Sequence, residues 1–174
     1  IARSSVIRHL RALLLLVALV GWDSQHTVSA GNVRAFIDGA GNLQVHGDHD
    51  RHGNQIEISM SATQRLGPTY LIRGNLGTTV NNLPEEHFPF FDVERNLTIR
   101  MGYGPDQLKL TGITVPRDLT IDSGGGDDDI SLHASVSGNT RIHTRDGDDY
   151  VFIHKTLCGH MNQPTASGSY AHHQ

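Results

Sequence analysis

Val93 to Leu110 reads VERNLTIRMGYGPDQLKL, Val115 to Leu132 reads VPRDLTIDSGGGDDDISL, and Val136 to Ile153 reads VSGNTRIHTRDGDDYVFI. These are three copies of one pattern, starting 22 and then 21 residues apart. Apolar residues recur at matched places: Leu97, Ile99, Leu108 and Leu110; then Leu119, Ile121, Ile130 and Leu132; then Thr140, Ile142, Val151 and Ile153. Each copy holds two apolar-x-apolar steps around a Gly/Asp-rich stretch. Period-two alternation is the strand signal, and Gly and Asp between strands supply turns.

One copy cannot bury its own apolar face. Stacked at about 4.8 Å, the copies place Leu97, Leu119 and Thr140 in one column and Leu108, Ile130 and Val151 in another. Each buried aliphatic then contributes roughly 1.5–3 kcal/mol. A fixed period with shared columns predicts an all-β fold: a right-handed parallel β-helix or β-solenoid of about 4 turns with 21–22-residue repeats. Ile99, Ile121 and Ile142 should share a buried column, with Thr98, Thr120 and Arg141 facing out.

Outward from this core, Asn42 to His46 and Ile56 to Ile58 repeat the pattern once more. Here the first turn carries two extra residues within 48–54, and Asn54 stands where the later copies have Asp. Val33 to Asp38 reads as a capping strand turned back by Gly39-Ala40-Gly41. Residues 61–92 break the period and read as an irregular insertion, with short strands near Tyr70 to Ile72 and Thr78 to Val80. The aromatic, proline-bearing stretch Asn81 to Phe91 reads as a loop covering the stack or binding a partner. The solenoid domain is expected over 31–157. Residues 158–174 are polar and read as a flexible tail.

Residues 1–30 carry Arg3, Arg8 and Arg11, then the apolar run Ala12 to Val20, then small residues ending Val28-Ser29-Ala30. That order predicts a secretory signal peptide cleaved after Ala30. The run is short for the roughly 20 residues of a membrane span, so a membrane contact is expected only through an uncleaved signal segment. The prediction is a secreted or cell-surface protein. The formal charge is −4, and the three Arg and one Asp of 1–30 leave −6 on residues 31–174. An acidic chain without a basic face argues against nucleic acid. Cys158 is the single cysteine, so no internal disulfide can form.

The turns are the strongest candidates for chemistry. Gly102-Tyr103-Gly104-Pro105-Asp106-Gln107-Leu108 and Gly124-Gly125-Gly126-Asp127-Asp128-Asp129-Ile130 fit G-x-G-x-D-x-U, and Gly147-Asp148-Asp149-Tyr150-Val151 fits its latter part. This resembles the calcium-binding nonapeptide repeats of RTX (haemolysin-type) proteins. The resemblance implies calcium held by Asp106, Asp128 and Asp149 with carbonyls of Gly104, Gly126 and Gly147, and Asp127 and Asp148 crowding the same edge. The departure is that RTX motifs follow one another directly on both sides of a roll, whereas here they occupy one corner. The whole of 33–153, with GNLQVHG at 41–47, GTTVN at 77–81 and DLTIDSGGGDD at 118–128, is similar to secreted repeat proteins of planctomycete bacteria. That resemblance implies fold and export, not an activity.

Plain turn chemistry is the blander reading of the same Asp residues. His133 and His154 share a register and could pair on a transition metal, though solvated surface His is the commoner case. His46, His49, His52 and His172-His173 could add to such a surface. Arg100, Asp122 and His143 share an outward column, the best enzymatic constellation in the chain. The predicted function is a non-enzymatic structural or binding module for an extracellular or cell-surface polymer or protein. The competing class is a carbohydrate-active enzyme, a polysaccharide lyase or hydrolase on a parallel β-helix.

Overall fold

The computed structural model describes residues 31–49, 51–63, 67–154, 157–161 and 165–173. The signal peptide and its cleavage point lie outside the described residues.

The fold is all-β. Twelve strands join one mixed sheet, and the only helix among the described residues is a single 3₁₀ turn at Phe90–Asp92. The strands are β1 (Asn32–Ile37), β2 (Leu43–His46), β3 (Gln55–Thr63), β4 (Gly67–Gly74), β5 (Thr79–Val80), β6 (Glu85–Pro89), β7 (Leu97–Arg100), β8 (Gln107–Val115), β9 (Leu119–Asp122), β10 (Asp129–His154), β11 (Leu157–Met161) and β12 (Thr165–His173). The sheet runs β5-β1-β2-β7-β9-β10-β8-β3-β4-β6, with β11 and β12 both paired to β10. Its two ends are neighbours in the chain, and Val80 bridges Leu83 between them, so the path nearly closes on itself.

The repeat copies pair in parallel at the offsets of the period. Leu43, Leu97, Leu119 and Thr140 are successive partners, as are Val45, Ile99, Ile121 and Ile142. On the second strand of each copy, Ile56 pairs with Leu108 and Leu108 with Ile130. β10 continues past Thr140, and Tyr150 N donates to Asp128 O at 2.8 Å, which sets the third copy beside the second. Ile99, Ile121, Ile142, Leu110 and Leu132 are buried, with Ile153 slightly less so. Arg141 is exposed, while Thr98 and Thr120 are half-buried beneath their neighbours.

The sheet is not parallel throughout, which corrects the sequence-based expectation. β1 covers β2 antiparallel, and β4 and β6, within the stretch expected to be irregular, extend β3 as an antiparallel run. β6 falls in the expected loop. Pro84 precedes it, Glu85 and Glu86 open it and Pro89 ends it, the features of an edge strand rather than an interior one. Tyr70 anchors this run: it is fully buried, its hydroxyl donates to the Thr114 carbonyl, and Phe90 packs on it at 5.8 Å. Burial pushes its phenol well above the ordinary range. The polar residues after 157, read as a loose tail, contribute backbone that pairs parallel with β10.

Candidate functional site

The Gly/Asp turns stack at one corner. Asp106, Asp128 and Asp149 are nearly fully buried there, at 1 %, 2 % and 3 % exposure. Each carboxylate reaches toward the preceding turn. Asp149 Oδ1 accepts from Asp128 N at 3.1 Å, Asp128 Oδ1 from Asp106 N at 2.9 Å, and Asp106 Oδ1 from Asn54 N at 2.5 Å. The column is therefore a side-chain ladder that satisfies one buried backbone N–H per turn. Asn54 heads it, and its Nδ2 donates to the Met101 carbonyl at 3.1 Å.

The second oxygen of each rung has no such partner. Oδ2 of Asp106, Asp128 and Asp149 is buried without a hydrogen bond. Burial is the main cause that pushes the Asp106 carboxyl up to about 7, and the Asp128 charge adds to it. Burial also raises Asp128, opposed by the Ser123 hydroxyl beside it and by the Asp106 N–H, with the charges of Asp149 and Asp127 adding.

The glycines serve the close stacking. A Cβ on Gly124, at φ +98°, would sit 1.6 Å from the Gly102 carbonyl oxygen. At Gly147 it would sit 2.0 Å from the Gly126 oxygen, and at Gly126 2.4 Å from the Gly104 oxygen. The carbonyls of Gly104 and Gly126 thus face the next turn's glycine. Asp127 and Asp148 lie on the exposed rim, where Asp127 Oδ1 accepts from Asp148 N at 3.0 Å.

Among the described residues no three His, Cys, Asp or Glu side chains gather as a metal-ion group. His133 and His154 do meet, ring centroids 5.3 Å apart and edge to face, with Phe152 stacked on His154. His46 packs on Phe36 and His49 on Tyr103, so these two belong to separate neighbourhoods. Arg100, Asp122 and His143 are adjacent in register as the spacing implies. Asp122 is held by Arg145, whose Nε donates to Oδ1 at 2.6 Å and whose second arm pairs with Oδ2. That guanidinium keeps the Asp122 carboxyl below the usual carboxylate range.

A second ladder stands at the corner before the first strand of each copy. Asn42 Oδ1 accepts from Asn96 N at 3.2 Å, Asn96 Oδ1 from Asp118 N at 3.1 Å, and Asp118 Oδ1 from Asn139 N at 2.7 Å. It runs in the opposite sense: here the lower turn's side chain accepts from the upper turn. The signal was present as an Asn or Asp before the first apolar residue of every copy, at 42, 96, 118 and 139.

No protein-family model matches the chain, and comparisons with curated proteins and with solved structures found no match.

Proposed function

We propose that the chain is an exported, non-enzymatic β-solenoid, coiled right-handed through about four turns of 21–22 residues, that serves as a structural or binding module outside the cell. The parallel registers at the repeat offsets support the solenoid, with the antiparallel strands as its caps. One observation carries the reading of function. The acidic side chains that recur at the turns are sequestered in holding the neighbouring turn, not presented to a substrate. The enzymatic alternative needs a proton donor, and the most buried member of its constellation, Asp122, is kept ionised by Arg145. Export follows from the order of residues 1–30, and secreted material would begin at Gly31.

Calcium enters the proposal at the Asp column. The Oδ2 atoms of Asp106, Asp128 and Asp149 are hard oxygen donors without partners, and calcium accepts irregular oxygen cages. The fit extends to those atoms, since the Gly104 and Gly126 carbonyls are pressed against the next turn. The test is thermal melting in millimolar calcium, in magnesium and in chelator. A higher Tm in calcium alone, lost in the double variant Asp128→Asn with Asp149→Asn, supports a calcium-stabilised module. A Tm indifferent to calcium, with the double variant melting higher in chelator, would leave the column as a purely internal ladder.

A further inference from the structure

The outer face beside the Asp corner carries a cleft of about 190 Å³. One wall is aromatic: Tyr103 is 63 % exposed and its ring lies 5.3 Å from that of His49. The facing wall is charged, made by Arg100, Asp122 and Arg145. The floor between them is glycine backbone, Gly102, Gly124 and Gly125.

Gly125 is the informative residue. Its neighbours Gly124 and Gly126 are required by the stack, as shown above. Gly125 has no positive φ, and a Cβ there would meet only ordinary contacts, the nearest being Tyr103 Cδ1 at 3.6 Å. Folding therefore does not demand glycine at 125. What the missing side chain does is keep the cleft open beneath the Tyr103 ring. The turn backbone is meanwhile pinned, with Gly125 N donating to Gly102 O at 3.2 Å and Gly104 N to Gly125 O at 2.8 Å.

We propose that this cleft binds one acidic sugar unit of an extracellular polysaccharide. Three features select that chemistry. Arg145 is paired with Asp122, so Arg100 supplies the net positive charge of this wall on a chain of formal charge −4, suited to a carboxylate ligand. The exposed phenol ring offers a flat apolar face with a polar tip, on which the C–H face of a sugar ring can lie. Asp122, fixed by the forked Arg145, presents oxygens that accept from sugar hydroxyls. The volume suits a single ring rather than an extended chain. The site rests on the reading of the chain as a non-enzymatic module, and it supplies the ligand class that reading lacks.

The probe is a galacturonate trimer, titrated calorimetrically against the folded chain. The comparison ligands are its methyl ester, which keeps the rings and loses the charge, and polyglutamate, which keeps the charge and loses the rings. The expected result is binding of the trimer at least tenfold tighter than of either. Tyr103→Ala, Arg100→Ala and Gly125→Leu should each weaken it at least tenfold while Tm changes little. Equal binding of polyglutamate, no binding of the trimer, or full binding by Gly125→Leu would overturn the site. Should Gly125→Leu unfold, Tyr103→Ala and Arg100→Ala decide alone. The same mixtures are examined for shortened products. Cleavage would overturn the non-enzymatic reading while leaving the site in place.

Discussion

The two ladders do the same mechanical job with different chemistry. At the corner before the first strand, Asn42, Asn96, Asp118 and Asn139 are half-buried, and three of the four are amides. At the opposite corner, three carboxylates are almost completely buried below a single amide, Asn54. Asn54 heads the column without accepting from a backbone N–H: its Oδ1 is itself buried without a hydrogen bond. At the other corner Asn42 and Asn96 hold backbone N–H groups as amides, so that job does not by itself explain three acids in a row. What the acids add over amides is charge, which when buried costs stability unless a proton or a cation neutralises it. The mechanical part of the acidic corner is shared with its partner, and its ionic part is its own.

The largest loss is expected where the turns stack most closely. Gly124→Ala should cost roughly 3–5 kcal/mol, because its methyl would fall on a backbone oxygen in a conformation that L residues avoid. Chemical denaturation would read this, and Gly125→Ala, one residue on, should stay within about 0.5 kcal/mol of the parent. Should both melt alike, the close approach of the turns is not what requires glycine.

A middle-sized effect separates the ladders. Asp128→Ala strands the buried Asp106 N–H, at a cost of about 1–3 kcal/mol. Asn96→Ala strands the Asp118 N–H in a half-exposed place that water reaches, so the loss should be about 1 kcal/mol or less. Equal losses would mean that burial does not distinguish the two corners.

The finest distinction is in pH. Burial pushes the Asp106 carboxyl from an ordinary 3.8 up to about 7 in the fold. Its folded carboxyl binds the proton more tightly than the unfolded one, so its stabilisation is complete below about 3.8 and is lost as pH climbs to about 7. Asp38, held by Asn42, is lowered to about 2, so its contribution exists above 3.8 and disappears as pH falls toward 2. In chelator, Tm should therefore fall by several degrees between pH 4 and pH 7, and Asp106→Asn should flatten that slope. A slope unchanged in the variant would place the titrating group elsewhere.

Much of the architecture could be read from the repeat. The columns of 97, 119 and 140 and of 99, 121 and 142 follow from spacing, because parallel pairing converts a constant offset into contact. The same spacing placed Asn54 at the head of the Asp column. β6 was hidden because its prolines and glutamates carry no strand period, and what fixes it is Tyr70 and its neighbours across space. At the site, the Asp residues were legible but their inward role was not, since a Gly/Asp turn reads alike whether its carboxylates face a ligand or the next turn. The cleft left no trace in any single copy. Tyr103 occupies a position where the next two copies have Gly125 and Asp146, and only stacking sets that ring above an empty floor.

β1 and β4 give the molecule a direction. Both strands that belong to the first turn, β2 and β3, are covered by chain running the opposite way. A reversed strand cannot offer the in-register parallel edge that another copy would need, so that end is blunt. Asp48 seals it further by accepting from Asn32 N at 2.6 Å. The parallel in-register pairing lies away from this end, along β7, β9 and β10. Away from that end the pairings are local in the chain: β9 joins β7 and β10 joins β9 at offsets of 22 and 21 residues, so each closes only a short loop.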